Sequence, residues 1–363
     1  MSKKNQSAFR PNYAVAPGET LRETLETLGM SQAEFADRTG RPKKTINEIM
    51  TGKAAITAET ALQFERVLGV PASFWNNLER NYQETRARLK EDERLQANVK
   101  WLKNFPIAHL VKIGWMPGED DPLRQLQALL NFFAVAGIDE WDAFWKSPEA
   151  AYRKSAAFQS SPYATAVWLR KGELNAASIQ CKLHDKTAFQ SALGKIRTLT
   201  TKPPETFEPE MVRLCAETGV AVTFVPELPG TRVYGATRWL NPNKALIQLS
   251  LRGKSDDHLW FAFFHEAGHI LYHGKKEVFI EEKDKPGNKA EQEADRFAQD
   301  FLIPPGEYKA FRSLGRLDIA TIRQLADKLG IAPGIVVGRL QHDDVIHFSK
   351  ANSLKTSLQF VER

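Results

Sequence analysis

The segment Phe264-His265-Glu266-Ala267-Gly268-His269 contains H-E-x-x-H inside a run, His258 to His273, that reads as one buried helix. Imidazoles four residues apart stand one above the other on a helical face, close enough for both to reach one tetrahedral zinc at ~2.0–2.1 Å. Glu266 projects beside them, where a carboxylate can act as general base on a metal-bound water. Leu259, Trp260, Phe263, Phe264, Ala267, Ile270 and Leu271 fill the opposite arc, so a polar stripe crosses an otherwise apolar helix. With 8 histidines in 363 residues, chance would produce this spacing in roughly one chain in a hundred. His258 and His273 extend the stripe. His273 lies eight residues from His265, about 12 Å at ~1.5 Å rise, too far to share its metal on a straight helix. A supporting or substrate-facing role is the reading for both.

Catalytic zinc takes three protein ligands and keeps the fourth position for water, so another donor should follow. Candidates lie in the helical pattern Asn288 to Leu302. Glu291 and Asp295 ride the same stripe as Ala294, Ala298, Phe301 and Leu302, whereas Glu293 and Asp300 face away. The periodicity favours Glu291 as third ligand, Asp295 as the carboxylate that orients a ligand histidine through its free N–H, and Glu293 as the alternative ligand. Asn288, three residues before Glu291, also fits a capping box, which would leave Glu291 a purely structural task. Pro304-Pro305 ends the helix.

The H-E-x-G-H helix followed by E-x-E-A-D-x-F-A-x-x-F-L-I-P resembles the ImmA/IrrE family of zinc metallopeptidases. The resemblance runs from about Gly219 to the Arg339-Leu340 region. It implies a zincin-like domain, a bound Zn2+, and regulated cleavage of a partner protein, often a repressor. Tyr234, His258 and His273 are the nearest candidates for an additional oxyanion donor.

A second pattern occupies the other end of the chain. Ser31-Gln32-Ala33-Glu34 is a capping box, Gly40 supplies a turn, Pro42 opens a further helix and Gly52 closes it. This is the helix-turn-helix arrangement, whose second helix enters the major groove. With Ile46, Ile49 and Met50 inward, Lys44, Thr45, Asn47, Glu48 and Thr51 point out, and Lys43 and Lys53 sit near the two ends. Asn can read adenine, Thr can touch a thymine methyl, and lysines suit phosphates, so Lys43, Lys44, Thr45, Asn47, Thr51 and Lys53 are the candidate DNA contacts. Residues 16 to 85 resemble the HigA-type antitoxin branch of Cro/C1-type helix-turn-helix proteins. That resemblance implies a homodimer on double-stranded operator DNA and a cognate toxin as partner. The same module would alternatively serve to hold the toxin rather than DNA.

Composition alone is less specific. Lys and Arg number 50 against 44 Asp and Glu, a net charge of +6, too mild to argue for nucleic acid by itself. Two cysteines, Cys181 and Cys215, are too few for a disulfide framework, and the N-terminus lacks an apolar signal core, so a cytoplasmic protein with no membrane partner is expected. The fold class expected is mainly α with a small β-sheet (α+β). Four regions are anticipated: a helix-turn-helix bundle over 1–85, a helical linker and middle region over 86–215, the zinc metallopeptidase domain over 216–350, and a tail over 351–363.

Within the middle region, Glu84 to Arg94 reads as a charged helical linker. Asp121 to Phe133 and Lys186 to Leu199 read as amphipathic helices, Gly114 to Gly118 and Thr200 to Glu208 as loops, and Val167-Trp168-Leu169 as core packing. Val220 to Val225, Tyr234 to Leu240 and Lys244 to Leu251 read as short strands, and the resemblance to the peptidase family implies that they form a small antiparallel sheet beside the zinc helix. If Ala245 to Ser250 is its edge strand, a substrate segment could pair with it. The reading these features support is a DNA-binding regulator carrying a zinc endopeptidase that cleaves a regulatory protein. Its rival is a non-proteolytic antitoxin and autorepressor whose zinc fold senses or scaffolds. Glu266 separates the two, because a structural metal has no need of a base beside its histidines.

Overall fold

The computed structural model describes residues 12–152, 161–274, 279–282, 289–315 and 317–360. They form two compact units, Met1–Trp101 with Glu119–Gln127, and Leu102–Gly118 with Ala128–Arg363. The architecture is α+β, with the strands confined to the second unit.

The first unit comprises α1 (Pro17–Thr27), α2 (Gln32–Thr39), α3 (Lys43–Met50), α4 (Ala58–Leu68) and the long α5 (Ala72–Gln96). Its core is built from Leu21, Leu25, Phe35, Ile46, Ile49, Phe64 and Trp75, with Phe64 packed edge-on to Trp75 at 5.5 Å. Ser31 caps α2 by accepting the Glu34 N–H at 3.2 Å. Gly40 then turns the chain at a left-handed φ of 66°, a conformation that costs a side chain about 1–2 kcal/mol. The Glu84 to Arg94 stretch is helical and continuous with α5 rather than a separate spacer.

Next in the chain are α6 (Ile107–Lys112), α7 (Pro122–Phe133), whose residues to Gln127 belong to the first unit and the rest to the second, α8 (Ile138–Tyr152), α9 (Pro162–Ala177), α10 (Lys186–Thr198) and α11 (Pro204–Ala216). Strands β1 (Val220–Phe224), β2 (Val233–Asn241) and β3 (Lys244–Leu249) precede α12 (Asp256–Tyr272). Then come β4 (Phe279–Glu282), α13 (Lys289–Leu302), α14 (Pro305–Arg312), α15 (Ile319–Leu329) and α16 (Pro333–His342). The sheet order is β1-β3-β2-β4.

Two expectations about this sheet are corrected. It is mixed rather than antiparallel, because β1 pairs parallel to β3 while β2 runs antiparallel to both β3 and β4. Consequently β3 is interior, and Ala245 to Ser250 offers no edge for a substrate strand. Its continuous burial from Ala245 to Leu249 is that of a strand covered on both faces. A third correction concerns Thr200 to Glu208, where α11 already begins at Pro204. Prolines at 203, 204 and 209 read as breakers, but Pro203 and Pro204 occupy the cap and first turn, where no N–H is needed. Phe207, Met211, Leu214 and Cys215 then supply the buried stripe.

One face of the sheet carries α12 and the other carries α9. The α9 side is locked by polar bonds that the apolar pattern does not reveal. Trp168 Nε1 donates to Val225 O at 2.9 Å, Gln248 Nε2 donates to Trp168 O at 2.7 Å, and Lys244 Nζ caps the end of α9 at Ala176 O and Ile179 O. Arg238 pairs with Glu173, which also holds Arg170 at 2.7 Å.

The C-terminal segment closes on the start of α12. Ser357 bridges Ser255, Asp256 N–H donates to Thr356 O at 2.9 Å, and Leu358 N–H donates to Lys254 O at 2.9 Å. Leu354 and Leu358 are buried in the main core of this unit. Lys355 Nζ reaches Asp257 Oδ2 at 2.6 Å.

Candidate metal centre and DNA-reading helix

Helix α12 is buried almost throughout because its apolar arc meets the sheet on one side and α13 and α16 on others. That is why its polar stripe is so enclosed: His265 and His269 are each 1% exposed and Glu266 is fully buried. Burying such groups costs several kcal/mol unless each finds a partner, so their arrangement is the informative part. Helix α13 crosses α12 at Gly268, where a Cβ would lie 3.2 Å from Ala294 Cα and from the Phe297 ring. The glycine of H-E-x-G-H therefore lets α13 approach and brings Glu291 and Asp295 to the histidines.

The contacts form two hydrogen-bonded chains that end at one point. Asp295 Oδ1 lies 2.8 Å from His265 Nδ1. A carboxylate only accepts, so His265 donates from Nδ1 and keeps the Nε2 lone pair. On the other side Glu293 Oε2 lies 3.3 Å from His273 Nε2, and His273 Nδ1 lies 2.9 Å from His269 Nδ1. Starting from the Glu293 carboxylate, the donors run His273 Nε2 and His269 Nδ1, which leaves the His269 Nε2 lone pair. Burial pushes the His269 imidazole down, the direction that favours the neutral ring.

The two freed lone pairs and Glu291 face one another. His265 Nε2 is 3.0 Å from His269 Nε2 and 3.1 Å from Glu291 Oε2, and His269 Nε2 is 3.7 Å from the same oxygen. A tetrahedron with bonds of ~2.0–2.1 Å separates its corners by about 3.3 Å. Three acceptors at this spacing repel unless a cation lies among them, so the donor set fits zinc in charge, softness and size.

The remaining candidates fall elsewhere. Glu293 pairs with His273 and stands outside the three converging atoms. Tyr234 and His258 stack on each other with ring centroids 5.8 Å apart, and His258 binds Ser255 Oγ at 2.8 Å. His258 precedes His265 by seven residues, about 10 Å along α12. Asn288 and its capping box lie outside the described residues. A contact without a signal in the residue pattern is that of Thr237 on β2, whose Oγ1 donates to the Glu266 carbonyl at 3.0 Å.

In the first unit, Lys43, Lys44, Asn47, Thr51 and Lys53 are exposed and Thr45 is half-buried, with Ile46 and Ile49 beneath. Lys44 lies 3.8 Å from Glu48, and Thr51 Oγ1 donates to Asn47 O at 2.9 Å. Gly18 of α1 abuts α3, since a Cβ there would overlap the backbone of Ile49 and Met50.

Family models match two segments of the chain. Residues 21–75 match the helix-turn-helix family, and residues 216–341 match the IrrE N-terminal-like domain. The chain is 36% identical over 63 residues to the HTH-type transcriptional regulator YddM of Escherichia coli, covering 17% of this chain and 67% of that one. It is 33% identical over 87 residues to virulence-associated protein I of Dichelobacter nodosus, covering 24% and 78%. The chain belongs to the Cro/C1-type helix-turn-helix family. It joins that DNA-binding domain to an IrrE-like domain of metallopeptidase type. Among solved structures, an addiction-module antidote protein of the HigA family from Coxiella burnetii is 32% identical, with 23% of this chain and 92% of that chain covered and a TM-score of 0.22. No helix among the described residues is long and apolar enough to cross a membrane.

Proposed function

We propose that this helix-turn-helix regulator carries a working zinc endopeptidase, with His265, His269 and Glu291 as metal ligands and Glu266 as general base. The observation that carries the reading is the convergence of three acceptor atoms, 3.0 to 3.7 Å apart, one helical step from a fully buried carboxylate. Zinc bound there would lower the pKa of its water toward ~7 and polarise a scissile carbonyl. Glu266 accepts the water proton and returns it to the leaving amine. Asp295 holds the His265 ring, and Glu293 through His273 holds His269, so both imidazoles present Nε2 inward.

The proposed substrate is a regulatory protein with an extended loop, such as a repressor. At the other end, α3 of a homodimer reads operator DNA in the major groove, Asn47 and Thr45 at base edges and Lys43, Lys44 and Lys53 at phosphates. A cognate toxin is a further partner under this reading, and a cytoplasmic location follows from it.

The test replaces Glu266→Gln on the chromosome and follows intact regulators under stress and toxin expression. Zinc content should stay near one per chain while cleavage falls at least ~10²-fold, the scale of general-base contributions. An unchanged pattern of protein cleavage with intact operator repression would transfer the zinc fold to sensing or scaffolding. Elemental analysis of the His265→Ala, His269→Ala double variant checks the metal independently, and undiminished zinc would remove the site.

A further inference from the structure

We infer that Gly235 on β2 is a positioning residue for the Glu266 carboxylate, and that the strand crossing the catalytic helix is glycine there to make room for the base. The inference rests on the peptidase reading for its functional meaning, but its geometry stands alone. A Cβ built on Gly235 would lie 2.7 Å from Glu266 Oε1, 2.8 Å from its Cγ and 3.1 Å from its Cδ. Rotating the end of the side chain does not relieve this, because Cγ near the root of the side chain is struck as well. Glu266 has no exposed surface into which to swing.

The strand cannot retreat either. At Gly235 it is paired with Leu249 of β3 on one side and Glu281 of β4 on the other. Two residues along the same face, Thr237 Oγ1 donates to the Glu266 backbone carbonyl at 3.0 Å. Side chain and main chain of the same helical residue are thus both fixed by β2, one by clearance and one by a hydrogen bond. A productive general base needs its oxygen within hydrogen-bond reach of the proton it takes, so a displacement of a few tenths of an ångström at Glu266 matters more than one elsewhere on α12. Gly235 is absent from the positive-φ positions, and the β2–β4 pairing shifts register between Val233 and Gly235, so a left-handed conformation does not account for the glycine. An interior-strand glycine weakens the strand and often marks a bulge or a place where another group approaches closely, and at Gly235 the Cβ position is blocked by a neighbour. Here that group is the proposed base.

The sign of a substitution separates this role from a generic one. Gly235→Ala in an unremarkable strand position would be neutral or stabilising, since alanine orders the unfolded chain less expensively. Under the inference it lowers the melting temperature of the zinc-loaded full-length protein by about 3–10 °C. Glu266→Ala removes Cγ, Cδ and both oxygens, so adding Gly235→Ala to it should change the melting temperature little or raise it. If Gly235→Ala is insoluble, the inference requires that the double variant with Glu266→Ala be soluble again. An equal drop in both backgrounds, a rise in the wild-type background, or an insoluble double variant overturns it. The companion readout is zinc content, which should be retained in Gly235→Ala while cleavage of the regulators falls at least tenfold. The melting cycle needs no peptidase activity, so its failure is distinguishable from failure of the peptidase reading, which the Glu266→Gln strain tests.

Discussion

Asp256, in the first turn of α12, should make the stability of the IrrE-like unit fall as pH rises through the mildly acidic range. The side chain is 4% exposed, and its Oδ1 accepts the N–H groups of Asp257 and Thr356, both at 3.0 Å. Burial pushes the carboxyl from 3.8 up to about 6, with the charge of Asp257 adding to the rise and the backbone bond from Thr356 resisting it. A difference of about two units corresponds to about 3 kcal/mol at ~1.36 kcal/mol per unit. The folded state binds this proton more tightly than the unfolded chain. Its contribution is therefore fully present below about 3.8 and lost as pH rises through about 6.

Asp257 works in another window. Burial raises its carboxyl, but His258, Lys355 and Ser255 outweigh that and hold it below the ordinary range, so its contribution is lost only in strong acid. The perturbation is Asp256→Asn, which keeps an acceptor for both N–H groups and never ionises. The new amide donors impose an offset of about 1–3 kcal/mol that does not depend on pH. Calorimetry of both proteins at saturating zinc from pH 4 to 7.5 should show their stability difference shifting by up to about 3 kcal/mol in favour of the asparagine variant. That is roughly 6–12 °C in Tm. Effects of pH on zinc binding are common to the two proteins and cancel in the difference. Parallel curves across this range would refute the argument.

Asp295→Asn should weaken zinc affinity about 10–100-fold by chelator competition, as loss of a carboxylate behind a ligand histidine does, with Glu266 untouched. Ending the chain at Lys350 removes Leu354 and Leu358 from the core, about 1.5–3 kcal/mol each, so the melting transition of this unit should drop while operator binding is unchanged. A fragment of residues 216–350 alone, lacking α9, should expose Ala221 and Leu246 and aggregate on expression. Lys44→Ala should weaken DNA binding on all sequences and flatten its salt dependence, while Asn47→Ala should relax base choice at one position, both readable by fluorescence anisotropy.

What could be read from the chain depended on whether the cause was local. The capping serine at 31, the left-handed turn at Gly40 and the inward Ile46 and Ile49 all act within a few residues, so the helix-turn-helix pattern was visible without the fold. The same holds for the placement of His265, Glu266 and His269 along one helix, and for the stripe shared by Glu291 and Asp295. Strand order was not legible, because Ala245 to Leu249 reads alike as a half-covered edge and as an interior strand until α9 is known to lie on its far face. The apolar run of α9 was visible as core, but the polar groups that seat it, Gln248, Lys244 and Arg238, come from strands some 60 to 80 residues away. Prolines 203 and 204 concealed the start of α11 because a breaker and a first-turn residue look identical in isolation.

The glycines mark where local reading ends. Gly268 looks like a mild defect in a buried helix, costing about 1 kcal/mol against alanine, until α13 is placed 3.2 Å from its missing side chain. Gly235 looks like a weak point in a strand until Glu266 is placed against it. Both sit on elements that touch the proposed metal centre, and in both the missing Cβ is the room taken by a neighbour from a distant part of the chain. A glycine interrupting a periodic element, with neither a turn nor a positive φ to justify it, is therefore a signal that something must come close. In this protein the neighbours concerned are the helix that delivers Glu291 and the carboxylate proposed to take the proton.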